Sequence, residues 1–313
     1  MTRRVGITGA SGFIGSALLP WLAERTDDQL VALTRTISPA RLPTHPRVTW
    51  HQGDLASSHD AVDFVADLDC VVHLAHTHTP LTSNNDLPSD AAMNVVPTLN
   101  LIQAVRRLGS DCHVVFASSG GAIYRGSIDE TPVTEDAHVE PTTSYGIQKL
   151  TAEHYFRLAA REGWLSATVL RIGNAYGALL PPERLQGFLG VAVAQLAARR
   201  PIRVFGNTAN VRDYVHLDDV CRVIELALGH QPEFGVFNVG SGQGVSVAGL
   251  IELLGSIVGT PLAVEHELPT RDAERLPPWI VLDSSKAATE LGWSASIQLE
   301  DGVRALWEEA TAR

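Results

Sequence analysis

The sequence has few cysteines, no long apolar run and no excess of positive charge. Its three cysteines, Cys70, Cys112 and Cys221, stand far apart, with no spacing typical of a metal site or a disulfide framework. We expect them to be reduced, small core residues. The longest apolar run, near 188–198, is too short to span a bilayer, and no signal-peptide pattern opens the chain. The sequence therefore predicts a cytoplasmic protein that does not act in a membrane.

The charge balance argues against one class of partner. A net charge of −11 is the opposite of what a nucleic-acid-binding surface needs. It does not exclude an anionic small ligand, because a few local arginines can outweigh the global field. With 313 residues and 45% hydrophobic content, the chain suits one large α/β domain with an appended lobe.

The order of apolar and helical patterns predicts the fold class. Strand-like runs alternate with helical patterns through the first half, which is typical of an α/β fold with a doubly wound parallel sheet of the Rossmann type. The predicted strands after the first are 30–33, 48–50, 70–74, 114–117 and 168–170. The predicted helices are 16–24, 59–65, 92–107 and 145–161. Ligands of such sheets lie at the carboxyl ends of the strands.

The sequence pattern changes after Gly177, where prolines separate shorter predicted elements. We expect a dinucleotide-binding domain over 1–177 and a smaller C-terminal substrate-binding lobe over 178–313. The two are partly interleaved, because a strand near 235–239 is positioned to return to the main sheet. No internal repeat or low-complexity segment is visible.

A glycine-rich turn follows the first predicted strand and opens a helical pattern. Such a turn lets a pyrophosphate approach bare backbone, while the helix N-terminus presents free N–H groups and a partial positive charge. The alternative is an ordinary βα loop that is rich in glycine. The residues predicted to hold the cofactor here are Gly9, Ser11, Gly12, Phe13, Ile14 and Gly15.

Tyr145 and Lys149 form a second chemical signal. Four residues apart at the start of a helical pattern, they lie on one face, one turn apart. An ammonium beside a phenol lowers the pKa of the phenol, and a tyrosine so tuned can exchange a proton with a sugar hydroxyl or carbonyl. The alternative is a surface tyrosine and lysine on an amphipathic helix.

Together these motifs give the chain a resemblance to a known family. It resembles the extended short-chain dehydrogenase/reductases of the NAD-dependent epimerase/dehydratase type, over nearly its whole length. The motifs that carry the resemblance, in chain order, are Thr8–Gly15, Gly53–Leu55, His73–Ala75, Asn94–Asn100, Ser118–Tyr124, Tyr145 with Lys149, Arg171–Gly177, Arg212–Asp219 and Asn238–Gly242.

The resemblance implies roles for further residues. Tyr145 and Lys149 would also contact the cofactor, Asp54 would hydrogen-bond the adenine amino group, and the adjoining cofactor contacts would be Leu55, Leu74 and Ala75. Arg171, Asn174 and Arg212 would hold a nucleotide-sugar, since the arginine fork suits a diphosphate. The alternative for the two arginines is a structural salt bridge, for instance from Arg212 to Asp213 or Asp219.

The chain departs from the family pattern beside the catalytic pair. Gly120 stands where many members have a serine or threonine as the third catalytic group. Ser118 and Ser119 remain, and Ser119 is the nearest hydroxyl, so we predict it to be catalytic and to contact substrate. Its alternative role is a hydrogen bond within a turn. Arg125 replaces a usual glycine and is predicted to contact the ligand or else to be exposed.

A second departure concerns the cofactor. Members that prefer NAD usually have an acidic residue at the end of the second strand, where this chain has Leu33-Thr34-Arg35. An arginine there is expected to accommodate the 2′-phosphate of NADP, which we favour over NAD. The alternative is that Arg35 stacks on adenine or points to solvent.

Two other features allow structural alternatives. His73, His76 and His78 are not expected to bind a metal, because no nearby carboxylate or cysteine completes a ligand set. Their loop is expected to border the nicotinamide ribose. The helices 92–107 and 145–161 resemble those that pair across the family's dimer, so we expect a homodimer, and the alternative is simple packing on the sheet.

The predicted function is a nucleotide-sugar oxidoreductase, with two reactions left open. An NADPH-dependent 4-keto-sugar reductase is favoured because of the missing acid at Thr34. The alternative is a 4-epimerase that retains NAD, resembling UDP-glucose 4-epimerase. A 4,6-dehydratase is disfavoured, because this chain has glycines in place of the Asp-Glu pair that such an enzyme needs before Tyr124. A non-catalytic NADP-binding regulator is a minor alternative, because Tyr145 and Lys149 are both present.

Overall fold

The computed structural model describes residues 2–36, 45–127, 129–181, 187–267 and 277–312. The strands are β1 Arg4–Thr8, β2 Gln29–Thr34, β3 Val48–Gln52, β4 Cys70–His73, β5 His113–Ser119, β6 Ser166–Ile172, β7 Asn174–Tyr176, β8 Ile202–Phe205, β9 Val211–His216, β10 Phe234–Val239, β11 Gly244–Ser246, β12 Val264–Glu267 and β13 Trp279–Ile280. The helices are α1 Phe13–Arg25, α2 Ser58–Val65, α3 Leu87–Leu108, α4 Gly120–Ile123, α5 Ser144–Arg161, α6 Phe188–Ala197, α7 Leu217–Gly229, α8 Val247–Val258, α9 Ser285–Leu291 and α10 Leu299–Ala312.

The main sheet has seven parallel strands in the order β10-β6-β5-β4-β1-β2-β3. Apolar residues of α1 and α7 pack on one face, and those of α2, α3 and α5 pack on the other. The central strands are apolar over most of their length because both of their faces are covered, whereas the edge strand β3 is polar at three of its five positions. The predicted doubly wound parallel sheet is therefore confirmed.

Local sequence signals explain where the helices near the site begin. Asp86 accepts a hydrogen bond from the amide of Ser89 and caps α3, which ends at the left-handed Gly109. Thr143 accepts one from the amide of Gly146 and caps α5. Such caps satisfy amides that the first helical turn leaves free. Capping at Thr143 places Tyr145 in the first turn of α5.

The second lobe is built on small sheets and its own apolar core. β9 pairs with β7, β11 and β13, while β8 pairs with β12. Helices α6, α8 and α10 cover these strands with buried residues such as Leu189, Leu250 and Leu306. Because β7 already belongs to this lobe, the chain changes sheets at Gly173, four residues before the predicted boundary. It returns to the main sheet through β10, which pairs with β6.

The cysteines lie in the core. Cys70, Cys112 and Cys221 are buried and free of disulfides, and burial raises the pKa of each thiol. They lie in the core as small apolar side chains. Within the described residues, no helix combines the length and the apolar character that crossing a membrane requires.

Candidate active site

A cavity of about 660 Å³ lies at the carboxyl ends of the main-sheet strands, against the second lobe. One wall consists of the glycine-rich turn after β1, and another consists of the end of β5 with the start of α5. The second lobe contributes residues of β7, α6, β8 and β9. This is the edge at which open parallel sheets bind their ligands.

The glycine-rich turn fits a dinucleotide diphosphate. Gly9 has a φ of +67°, and a Cβ there would lie 2.8 Å from the amide nitrogen of Ala75. A Cβ at Gly15 would lie 2.7 Å from the Cα of Ala10, so this glycine lets α1 pack on the turn. A Cβ at Gly12 would meet only the carbonyl of Gly9, at 3.0 Å, and Gly12 lines the cavity. The N-terminus of α1 therefore faces open space across bare backbone.

Thr8 and His73 hold the neighbouring loop in place. The Thr8 hydroxyl accepts hydrogen bonds from the amides of Leu74 and Ala75, both at 3.1 Å, and contacts His73 Nδ1 at 2.8 Å. The other ring nitrogen of His73 contacts the Thr98 hydroxyl at 3.0 Å. Burial lowers the pKa of His73 to about 3, so its ring is a neutral part of the core. Leu74 lines the cavity, whereas Ala75, which was also predicted to contact the cofactor, does not.

The residues predicted to bind the adenosine end of the cofactor follow β2 and β3. Arg35 and Asp54 are exposed, and Leu55 is buried. Asp54 accepts a hydrogen bond from the amide of Ala56 at 2.9 Å. These residues lie beyond the described cavity wall, at the same strand edge as the glycine-rich turn. The Thr34 hydroxyl donates to the carbonyl of Thr36 at 3.0 Å, and no acid is present at the end of β2.

Tyr145, Lys149 and Ser119 all line the cavity. Ser119 is the last residue of β5, and its hydroxyl lies close enough to the Tyr145 phenol to lower the pKa of that phenol. Lys149 is buried, and its ammonium donates to the carbonyl of Ala117 at 2.7 Å. It lies 5.7 Å from the ring centroid of Tyr145. The structure thus brings together the three residues predicted to be catalytic.

Burial dominates the electrostatics of this group. It raises the pKa of Tyr145 to about 12, against a lowering by the bond to Ser119. It lowers the pKa of Lys149 to about 7, although the nearby Glu153 carboxylate favours the ammonium. The predicted lowering of the phenol pKa by Lys149 is therefore wrong for this geometry. The ammonium is held at Ala117 rather than at the phenol, and desolvation outweighs its field.

Comparison with known proteins bears on the identity of this site. Residues 5–240 match the model of the NAD dependent epimerase/dehydratase family. The chain belongs to this family. The match includes the glycine-rich turn, the Ser119–Tyr145–Lys149 group and all strands of the main sheet. The resemblance seen in the sequence motifs is confirmed.

The chain is similar to reductases and to epimerases. It is 29% identical to a dTDP-4-dehydro-6-deoxyglucose reductase of Escherichia coli over 304 residues, which cover 95% of the chain and 94% of the relative. A UDP-glucose 4-epimerase of Thermotoga maritima, solved with UDP-glucose, is 27% identical with a TM-score of 0.89, over 99% of this chain and 100% of that one. A UDP-glucose 4-epimerase of Thermus thermophilus, solved with NAD, is 26% identical with a TM-score of 0.88, over 98% of both chains.

Arg171, which was predicted to contact the substrate, lies in a buried polar cluster instead. Arg171 donates to the Glu153 carboxylate at 2.7 Å, to the Tyr124 hydroxyl at 2.8 Å and to the carbonyl of Glu135 at 2.9 Å. The Ser118 hydroxyl also donates to Glu153. Arg171 does not line the cavity, so its predicted substrate contact is corrected to a structural salt bridge. Ser118 is committed to the same cluster, which leaves Ser119 as the hydroxyl beside Tyr145.

Arg125 also lies away from the cavity. Its side chain is 62% exposed and faces Glu140 at 3.5 Å. The exposed alternative therefore replaces the predicted ligand contact. An ion pair this exposed contributes little to stability, because water screens both charges.

Arg212 and Asn174 do line the cavity. Arg212 is 9% exposed, and its guanidinium donates to the carbonyl of Val211 at 2.7 Å. In the described part of the chain it faces no carboxylate within ion-pair distance. The two acids suggested for it bind elsewhere: Asp213 accepts from the Ser241 amide and hydroxyl, and Asp219 pairs with Arg222. Desolvation lowers the pKa of Arg212, as expected for a buried cation without a carboxylate.

The loop after β4, which was expected to border the nicotinamide ribose, contributes residues 76–81 to the cavity wall. The sequence analysis missed the contributions of α6 and β8, among them Phe188 and Arg203. His76 packs edge-on against Tyr145, with ring centroids 4.7 Å apart, and burial lowers the pKa of His76 to about 2. His78 contacts Asp90 at 2.7 Å. The clustered histidines were a visible signal, but no sequence pattern pointed to their partner on α3.

Proposed function

We propose that the protein is an NADPH-dependent reductase of a nucleotide-activated 4-keto sugar. The observation that carries the proposal is the Ser119–Tyr145–Lys149 group in a cavity that starts at a glycine-rich turn. The reductase from Escherichia coli and the epimerase solved with UDP-glucose support this substrate class. A non-catalytic regulator would not need a buried lysine placed beside a tyrosine on the cavity wall.

The cofactor would be held by the first half of the chain. Gly9, Gly12 and Gly15 would leave room for its diphosphate at the N-terminus of α1. Asp54 would accept a hydrogen bond from the adenine amino group, and Arg35 would pair with a 2′-phosphate. A bound nicotinamide dinucleotide supplies the hydride for the reduction.

Tyr145 would supply the proton. Because burial holds its pKa at about 12, the phenol is protonated at neutral pH and is ready to act as an acid. The proton passes from the Tyr145 hydroxyl to the oxygen of the sugar ketone as the ketone carbon accepts hydride, which gives an alcohol. Ser119, whose hydroxyl lies beside the phenol, would orient it through a hydrogen bond. Lys149, one helical turn away on the same cavity wall, is held by the carbonyl of Ala117.

Arg212 and Asn174 would hold the nucleotide-sugar from the second lobe. Arg212 is a buried cation whose guanidinium donates to the neutral carbonyls of Val211 and Pro278. A diphosphate would supply the missing negative charge through charge-assisted hydrogen bonds. The pyrophosphate end of the substrate would therefore lie at the second lobe, and the sugar would lie toward Tyr145.

A nucleotide-sugar 4-epimerase that retains NAD is the second candidate. The Thermotoga maritima and Thermus thermophilus epimerases, the second of them solved with NAD, favour it. The end of β2 favours the reductase, because Thr34 offers no negative charge to the ribose hydroxyls and Arg35 follows it. A 4,6-dehydratase is not supported, because Gly120 and Gly121 stand where its acidic pair is needed.

The preference between cofactors tests the choice between these candidates. We expect the wild type to bind NADP(H) more tightly than NAD(H), and Arg35→Ala to narrow the gap. Because Arg35 is exposed, the preference should also shrink at high salt. Dissociation constants for both cofactors at low and high salt measure this, and Arg125→Ala is the matched control. A wild type that prefers NAD, or an unchanged ratio in Arg35→Ala, would favour the epimerase.

We also propose that the protein is a cytoplasmic homodimer. Helices α3 and α5 pack side by side, and they expose large apolar residues to solvent. These include Leu87, Val96, Ile147 and Leu158, which are 57%, 43%, 52% and 45% exposed. Exposed apolar groups on neighbouring helices fit an interface with a second copy of the chain.

A further inference from the structure

A buried carboxylate lies directly beside the proposed active site. Asp90 of α3 is 0% exposed and accepts hydrogen bonds from four side chains. Its partners are His78 Nδ1 at 2.7 Å, Asn94 Nδ2 at 2.8 Å, Ser144 Oγ at 2.7 Å and the Gln148 amide. A carboxylate removed from water needs such partners, and His78 is the one among them that can carry positive charge.

The position of this cluster relates it to catalysis. Ser144 and Gln148 belong to the first turns of α5 and directly precede Tyr145 and Lys149 in sequence. Of the five residues in the cluster, His78 alone lines the cavity. Asp90 therefore joins the catalytic helix to one ring on the cavity wall.

The hydrogen bond between His78 and Asp90 determines which ring nitrogen of His78 remains available to the cavity. An ionised carboxylate only accepts hydrogen bonds, so Nδ1 of His78 carries the hydrogen between them. Nε2, at the far side of the ring, makes no hydrogen bond to the residues that the structure describes. The side chain is 28% exposed, which leaves this nitrogen accessible to a ligand.

We propose that His78, positioned by Asp90, is a specificity-determining residue that hydrogen-bonds a hydroxyl of the sugar through Nε2. This inference rests on the proposed function. The sugar, rather than the nucleotide, is the partner because of where the loop lies. His76, two residues earlier, packs on the ring of Tyr145. In the proposed reaction the Tyr145 hydroxyl lies next to the ketone of the sugar, so this loop lies near the sugar. Arg212, the candidate for the diphosphate, belongs to the opposite lobe.

The competing explanation is that His78 serves only to complete the bonds of Asp90. Two substitutions separate these roles. His78→Asn places an amide near the position of Nδ1 and keeps a donor for Asp90, but it removes the atom that faces the cavity. His78→Gln reaches the position of Nε2 and keeps a polar group in the cavity, but it gives up the bond to Asp90.

The experiment is calorimetric titration of the cofactor-loaded protein with UDP-glucose and dTDP-glucose, each compared with UDP or dTDP. We expect His78→Asn to weaken binding of the sugar nucleotides about tenfold, the effect of one lost hydrogen bond in a buried site, and to leave UDP and dTDP unchanged. His78→Gln should retain most of the sugar affinity. His59→Gln, at a ring 82% exposed on α2, should match the wild type.

Each other outcome has a definite meaning. If His78→Gln loses sugar affinity and His78→Asn does not, the role is structural and the inference is overturned. Equal losses for UDP and UDP-glucose would also overturn it. If the wild type binds none of the four probes, the proposed function itself fails. Should a variant not fold, ¹⁵N spectra of histidine in the wild type keep the test open, because UDP-glucose must shift the Nε2 signal of His78 and UDP must not.

Discussion

Among single residues, Arg212 and Arg171 show how the surroundings of a buried charge decide its role. Both side chains are largely removed from solvent. Arg171 has the Glu153 carboxylate against it at 2.7 Å, and this pair raises its pKa. Arg212 meets carbonyl groups, and burial lowers its pKa. A charge already neutralised is structural, whereas a buried cation without an anion is available to a ligand.

Matched substitutions of these arginines should have opposite effects. Arg212→Met should weaken UDP and dTDP binding about 10- to 100-fold, since charge-assisted bonds contribute roughly 1.5–3 kcal/mol. It should leave dinucleotide binding unchanged. Arg171→Met should lower the free energy of unfolding by about 3–5 kcal/mol, because it strands the Glu153 carboxylate. Calorimetry and denaturant unfolding measure both effects. Unchanged UDP and dTDP affinity in Arg212→Met would remove this residue from the site.

The sequence located the chemistry at this scale better than it located the partners. Motif spacing identified Tyr145, Lys149 and Ser119 because local spacing carries over directly to one helix face and one strand end. It assigned Arg171 to the wrong role because its partner, Glu153, lies on another element and forms no sequence pattern with it. Asp90 was missed for the same reason. Contacts between distant residues depend on the packing of α3 against α5.

Among the elements, α5 carries the most functional roles. Its first turns present Tyr145 and Lys149 to the cavity and Gln148 to Asp90, while Glu153 further along binds Arg171. A different stripe of the same helix exposes Ile147 and Leu158. The period of 3.6 residues per turn separates these roles around one axis. Changes on the exposed stripe should therefore affect assembly before they affect chemistry.

Ile147→Glu should shift the protein from dimer to monomer. The side chain is 52% exposed on α5, so the isolated chain can accept the charge, but a helix interface would have to bury it. Light scattering or sedimentation across a concentration series measures the oligomeric state. Ala288→Glu, on the exposed side of α9, is the control and should stay dimeric. A wild type that is monomeric at every concentration would contradict the homodimer.

The accuracy of the sequence analysis also differs between elements. The strands of the main sheet and helices α1, α2, α3 and α5 were predicted, because their long apolar patterns have a clear period. The strands of the second lobe were not, and three of them, β7, β11 and β13, are only two or three residues long. Strands this short are defined by their pairing with β9, which brings together distant parts of the chain.

At the scale of the whole molecule, burial keeps several histidine rings neutral. Burial is the first cause that lowers the pKa of His73 to about 3, of His76 to about 2 and of His113 to about 4. The unfolded chain takes up these protons near pH 6.5, whereas the folded protein does not. Since the unfolded state then binds more protons, stability is present above about pH 6.5 and is lost as the pH falls.

We therefore expect the free energy of unfolding to fall between pH 7.5 and pH 5.5 by about 1 kcal/mol for each of these histidines. His113→Gln should reduce this fall by about 1 kcal/mol, because that ring no longer takes up a proton on unfolding. Urea unfolding at both pH values measures the effect. His59→Gln, which changes an exposed ring, should keep the full dependence. Equal stability of the wild type at both pH values would contradict this account of the buried rings.

The central claim is that Tyr145 delivers a proton to a nucleotide-bound 4-keto sugar while NADPH is consumed. The most direct measurement is the loss of NADPH absorbance with dTDP-4-dehydro-6-deoxyglucose, for the wild type and for Tyr145→Phe. The account predicts turnover by the wild type and a rate about 10²–10⁴-fold lower for Tyr145→Phe, with NADPH affinity retained. Near-normal turnover in Tyr145→Phe, or no NADPH consumption by the wild type, would contradict it.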